Sequence, residues 1–148
     1  MTASPLPTDA LRGGQLTAAI SNAVVNTVAD YIGRGPTRTK TVIRDDLVVC
    51  LMRDTFTRAE QSLIAAGQGQ IVLDTRRALH QAIREDLVGA VEQLTTRRVI
   101  AFMSDDHIDP DVSTATFLLE PEGFDPTDTG EAGPTVNAVR RAPRALPL

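Results

Sequence analysis

Aromatic residues are scarce in this 148-residue chain, which has four Phe, one Tyr and no Trp. A core with so few rings must be filled by Val, Leu, Ile and Ala, and little is left for a surface that stacks nucleic-acid bases. Cysteine is nearly absent as well. Cys50 stands alone, which excludes an internal disulfide, and its place in the apolar run Leu47–Met52 marks it as a buried, inert thiol. Positive charge is in deficit. Fifteen Lys and Arg against 19 Asp and Glu leave a net charge of −4, the opposite of what an electrostatically driven nucleic-acid or anionic-membrane binder needs. No window approaches the ~18 consecutive apolar residues of a membrane-spanning helix, and Met1–Asp9 lacks a basic segment followed by an apolar one. The chain is therefore expected in the cytoplasm, without direct membrane insertion.

Hydrophobic residues make up 42% of the sequence, enough to bury the core of one domain. Pro5, Pro7, Gly13 and Gly14 break up residues 1–13, and eight Pro and Gly between Pro121 and Pro147 break up residues 122–148. Both ends are expected to be disordered, the tail carrying Arg140, Arg141 and Arg144, around a single folded unit at 14–121. Within it, Leu16, Ile20, Val24, Val28 and Ile32 recur at helical spacing, and Gly33 supplies a stop. Thr37–Ile43 and Leu47–Met52, parted by Asp45-Asp46, read as a hairpin whose second strand is central. Thr57-Arg58-Ala59-Glu60 has capping-box spacing and starts a short helix ending near Gly67. A longer helix follows Gly69, with Val72, Leu79, Ile83, Leu87, Val91 and Leu94 on its apolar stripe and Arg76, Arg77 and Arg84 largely off it. Val99–Met103 and Thr114–Leu119 are the last two strands. The order helix-strand-strand-helix-helix-strand-strand is α+β, a small, mostly antiparallel sheet with helices packed on one face.

Two polar segments stand out. Between the last two strands, Asp105, Asp106, His107, Asp109 and Asp111 set four carboxylates and one of the two histidines within seven residues. Such groups suit a divalent cation, with Asp106, His107 and Asp109 as the metal candidates, but the spacing lacks the glycine and final glutamate of an EF-hand loop, and no cofactor is expected. The plainer reading is a structural corner in which Asp109-Pro110 turns the chain and Asp111 bonds backbone amides. The second segment, Gly33–Lys40, offers Arg34, Arg38 and Lys40 on a flexible backbone, without the spacing of a phosphate loop. His80 reads as a helix-surface or core-edge histidine. No nucleophile has an evident base, so no catalytic residue is assigned and enzyme activity is not expected. The element order also matches a type II KH nucleic-acid module, but Gly67-Gln68-Gly69-Gln70 is not Gly-x-x-Gly and holds no basic residue.

Three stretches carry a resemblance to a known family: Tyr31–Thr41; Asp45–Cys50 leading to Thr57–Glu60; and Phe102–Asp111 leading to Leu119-Glu120-Pro121. Together they resemble the MpsC-like family, the small third component of a proposed Na⁺-translocating, membrane-potential-generating system. The resemblance implies a soluble, non-catalytic accessory protein that binds a protein partner of a membrane transport system, and it carries over no catalytic residues. On this reading the chain is a homo-oligomer whose Arg34, Arg38, Lys40, Asp105, Asp106, His107, Asp109 and Asp111 meet a partner. The rival readings are a sensor that takes a divalent cation on the acidic loop and a KH-like RNA-binding module.

Overall fold

The structure, a computed structural model, describes residues 11–122. The expectations for residues 1–10 and for the tail arginines Arg140, Arg141 and Arg144 lie outside the described residues. Within them are three helices, α1 (Gly13–Ile32), α2 (Arg58–Ala65) and α3 (Gly69–Thr95), and four strands, β1 (Arg38–Arg44), β2 (Leu47–Arg53), β3 (Val99–His107) and β4 (Val112–Leu119). The order is the one the sequence pattern predicts, and the strands form an antiparallel sheet ordered β1-β2-β4-β3. Helix α1 begins at Gly13, inside the segment expected to be an irregular lead.

Local chemistry explains the element boundaries. Gly33, at φ 85°, closes α1 in the left-handed region and donates its N–H to Ala29 O. Thr57 caps α2 through Glu60 N, and the Glu60 carboxylate accepts from Thr57 N in return, so the capping box is complete. Gly69 opens α3 hard against the β3–β4 turn, where an added Cβ would sit 2.8 Å from Ile108 Cδ1. The glycine-containing α2–α3 turn is thus packed against another loop.

Helices α1 and α3 cover one face of the sheet. Ile20, Val24 and Val28 from α1 and Ile83, Leu87 and Val91 from α3 meet Val48, Cys50, Met52, Ala115, Phe117 and Leu119 from the two central strands. Phe102 and Phe117 pack as a tilted pair with centroids 5.0 Å apart, one of the few ring contacts so aromatic-poor a chain can make. Cys50 is fully buried, and burial raises its thiol pKa against the opposing hydrogen bond from Thr41. That burial is what its place in the apolar run predicts.

The opposite face of the sheet carries no helix among the described residues. The strand register lays its side chains out in rows across β1, β2, β4 and β3: Arg38–Arg53–Val112–His107, then Lys40–Leu51–Thr114–Asp105, then Val42–Val49–Thr116–Met103, then Arg44–Leu47–Leu118–Ala101. Val42, Leu47, Met103 and Leu118 are 47%, 41%, 57% and 37% exposed there.

Candidate functional site

Strand β3 extends four residues beyond the Met103 end expected from the sequence, so Ser104–His107 are strand, and only Ile108–Asp111 form the turn, with a cis Asp109–Pro110 peptide. The reason is alternation. Ser104 and Asp106 follow Phe102 onto the helix-covered face, where polar partners await them, while Asp105 and His107 point to the open face. A run of polar residues that looked like a loop is a half-buried strand whose inward positions happen to be polar.

The partner that makes this tolerable is Arg76. Expected off the apolar stripe of α3, it is instead 1% exposed, on the same face as Val72, Ile83, Leu87 and Val91. The spacing 72, 76, 83, 87, 91 is in phase, and that was the available signal. Its Nε and Nη2 donate to Glu60 Oε2 and Oε1 at 2.6 and 2.7 Å, and Nη2 also donates to Thr55 O at 2.7 Å. Nη1 donates to Thr55 Oγ1 at 3.3 Å and lies 3.6 Å from Asp106 Oδ1. The guanidinium stacks over the Phe56 ring at 4.9 Å.

Asp106 gathers the other half of the cluster. Its Oδ2 lies 3.0 Å from His80 Nε2, Ser113 Oγ donates to its Oδ1, and its side chain is 3% exposed. Burial alone would push this carboxyl up. The hydrogen bonds from His80 and Ser113, with the charges of His80 and Arg76, outweigh it and hold the group below its usual value. Glu60 is shifted the same way: burial opposes its charge, and hydrogen bonds from Arg76 and from the Thr57 amide overcome it.

Ser104 Oγ lies 2.9 Å from His80 Nδ1, which completes a chain Ser104, His80, Asp106. In the neutral imidazole, Nε2–H donates to the carboxylate and Nδ1 accepts from the serine. The arrangement is not visible in the sequence, because the serine and aspartate lie on β3 and the histidine on α3, 24 residues from the serine. These residue types serve nucleophilic catalysis elsewhere. A groove of about 290 Å³ runs past them, lined by Arg77, His80, Gln81, Arg84, Phe102, Met103 and Ser104.

The remaining residues singled out from the sequence divide between two places. Arg38, Lys40, Asp105 and His107 stand on the open sheet face, at its β1 and β3 edges. Arg34, Asp109 and Asp111 gather at one end of the sheet, around the β2–α2 connection. There Arg34 Nε donates to Asp54 O at 3.3 Å, Thr37 Oγ1 donates to the Asp54 carboxylate, and Asp54 N donates to Asp111 O at 3.1 Å. The Asp111 carboxylate accepts from Thr55 N and Phe56 N, each at 3.1 Å, the backbone-bonding role expected of it.

The two polar segments thus converge on Asp54. Beside it lies a groove of about 420 Å³ lined by Asp54, Phe56, Gln61, Ile64, Ala65, Ile108, Asp109 and Asp111. Its lining is apolar at Phe56, Ile64, Ala65 and Ile108 and acidic at Asp54, Asp109 and Asp111. The five acidic-loop residues do not converge on one point, since Asp106 faces the helices, Asp105 and His107 the open face, and Asp111 the β2–α2 backbone. No group of three or more His, Cys, Asp or Glu among the described residues is placed to hold a metal ion.

No helix among the described residues is long and apolar enough to cross a membrane. The chain is 27% identical over 93 residues to the uncharacterized protein YbcI of Bacillus subtilis (strain 168), covering 62% of this chain and 75% of that one. No solved structure matches it. Residues 12–121, which span α1 to the end of β4 and include every side chain of the buried cluster and of the groove, match the family described as Na⁺-translocating membrane potential-generating system (MpsC), and the chain belongs to that family.

Proposed function

We propose that this chain is a non-catalytic, self-associating component of the Na⁺-translocating system for which its family is named, and that it acts from the cytoplasm by holding a protein partner. The observation that carries this reading is the convergence of Gly33–Thr37 and Ile108–Asp111 on Asp54, beside a groove lined by apolar and acidic residues. A groove of that character suits a segment that presents apolar side chains flanked by Lys or Arg, such as a cytoplasmic loop of the membrane-embedded component.

A binding role is also supported by the way the buried cluster spends its polar groups. Asp106 holds His80 through Oδ2 and takes Ser113 and Arg76 on Oδ1, so both oxygens of the carboxylate are committed to ties between elements of the fold. Among the described residues, Arg97 Nε is the one buried side-chain nitrogen or oxygen without a hydrogen-bond partner, and it lies outside this cluster. The cluster ties α2, α3, β3 and β4 together and so fixes the groove at the end of the sheet.

The test is capture of the membrane component, in detergent, by the full-length chain. Asp109→Lys and Ala65→Glu, both at exposed groove positions, should abolish capture while leaving the fold intact. Undiminished capture by both variants would remove the groove from the account.

A further inference from the structure

The charges on the open face of the sheet are one-sided. Arg38, Lys40, Arg44 and Arg53 are all exposed there, and Asp105 is the one carboxylate in the four rows. The register sets Arg38 directly opposite Arg53, with Lys40 two residues along the same strand. Like charges facing each other across a strand pair are destabilising, and none of the four cations pairs with a carboxylate among the described residues. Of the acids at the Arg38 end of the sheet, Asp54 is engaged by Thr37 Oγ1 and Asp111 by the Thr55 and Phe56 amides. The net charge of −4 is a property of the whole chain and conceals a face of the opposite sign.

We propose that this face docks on an anionic lipid surface, with Arg38, Lys40, Arg44 and Arg53 meeting the headgroup phosphates. Val42, Leu47, Met103 and Leu118, exposed among the same rows, then reach between the headgroups. Attraction of Lys and Arg to an anionic leaflet adds to the gain from apolar area buried in the interface, and this face supplies both. An acidic protein would have to place its carboxylates to match the rows, whereas lipids in a fluid leaflet rearrange under a fixed array of cations. RNA is poorly served, since no Phe, Tyr or Trp stands in the rows to stack a base. Docking of this kind is peripheral and needs no membrane-spanning helix. It uses none of the groove residues and stands without the groove reading.

Vesicle flotation of the full-length chain, with no membrane component present, tests it. Wild type should float with mixed phosphatidylglycerol and phosphatidylcholine vesicles at low salt, be released as salt is raised, and stay behind with phosphatidylcholine alone. Lys40→Gln and Arg53→Gln should each weaken binding roughly fivefold, the effect of one charge at such a surface, and Asp105→Asn should strengthen it by a similar factor. The double variant Arg38→Glu with Lys40→Glu should not float. Arg38→Gln relieves the facing Arg53 and should melt no lower than wild type, so its weaker binding is not a loss of fold.

A folded wild-type chain that does not float would overturn the proposal. So would flotation that survives Arg38→Glu with Lys40→Glu, since the lipid contact would then lie elsewhere in the chain. Absence of flotation together with loss of capture in detergent by Lys40→Glu would give the face to an acidic protein instead. Asp109→Lys should float at least as well as wild type while failing in capture, so failure of the groove and failure of lipid docking are told apart.

Discussion

Arg76 grips Glu60 with two parallel hydrogen bonds, Nε to Oε2 at 2.6 Å and Nη2 to Oε1 at 2.7 Å, while the same carboxylate accepts the Thr57 amide at the start of α2. One glutamate therefore caps α2 and anchors it to α3. A guanidinium suits this position because its planar donors serve Glu60, Thr55 and Asp106 together, which a lysine ammonium cannot match.

Removing that guanidinium leaves Asp106 and Glu60 without their cation in a nearly dry site. Arg76→Ala should cost about 3–5 kcal/mol, and Arg76→Lys should recover only part of it. Urea denaturation checks both. The effects of Arg76→Ala and Asp106→Asn should be strongly non-additive in a double-mutant cycle, because each variant already breaks the cluster.

The depressed carboxyls of Asp106 and Glu60 set the acid limit of the fold. As pH falls, the unfolded chain takes up protons near its ordinary carboxyl values of about 4, before the folded chain does. The stability from these groups is thus fully present above that range and is lost as pH falls through their lower folded values. Arg76 is the cation facing them, and the His80 imidazole lies against Asp106. The melting temperature should hold between pH 6 and 8, about two or more pH units above those carboxyl values, and fall steeply below about pH 4. Asp106→Asn should melt lower at neutral pH and show a shallower acid slope.

Asp109 and Asp111 are two residues apart with opposite expectations. Asp111→Ala leaves the Thr55 and Phe56 amides without their acceptor and should cost about 2–4 kcal/mol. Asp109 is exposed in the turn, and Asp109→Ala should change stability by no more than about 0.5 kcal/mol. Thermal melts of the two variants side by side separate the structural carboxylate from the one assigned to docking.

The Ser104, His80, Asp106 chain should be chemically quiet. A fluorophosphonate probe should leave Ser104 unlabelled at neutral pH, read by mass spectrometry of the intact chain. Stoichiometric labelling that His80→Ala abolishes would contradict the non-catalytic reading.

Element order and two of the helix caps were legible in the sequence because they are local. Gly33 at the end of α1 and the Thr57/Glu60 box act within one helical turn, and the periodicity of Ile20, Val24 and Val28 needs no knowledge of what covers them. The acidic segment was not legible in the same way. Polarity at Ser104 and Asp106 reads as loop unless the cation that balances them is known, and that cation comes from α3, 30 residues earlier in the chain. Arg76 had a signal in its phase with Val72 and Ile83, masked because a charged residue in an apolar stripe is normally a surface residue. Thr55 and Ser113 had none, since their pairing exists only once β2 and β4 are adjacent. Nor does the sequence alone place Lys40 and Asp105 in one row, because that depends on strand register.

The central claim is that the end of the sheet around Asp54 and Asp109 holds the membrane component. Immobilised full-length chain and the detergent-solubilised component, compared for wild type, Asp109→Lys and Asp105→Lys, test it most directly. The account predicts saturable binding by wild type, loss of at least roughly tenfold in affinity for Asp109→Lys, where a groove charge is reversed, and retention for Asp105→Lys, whose charge lies on the other surface. Equal binding by wild type and Asp109→Lys, or no binding by folded wild-type chain, would contradict it.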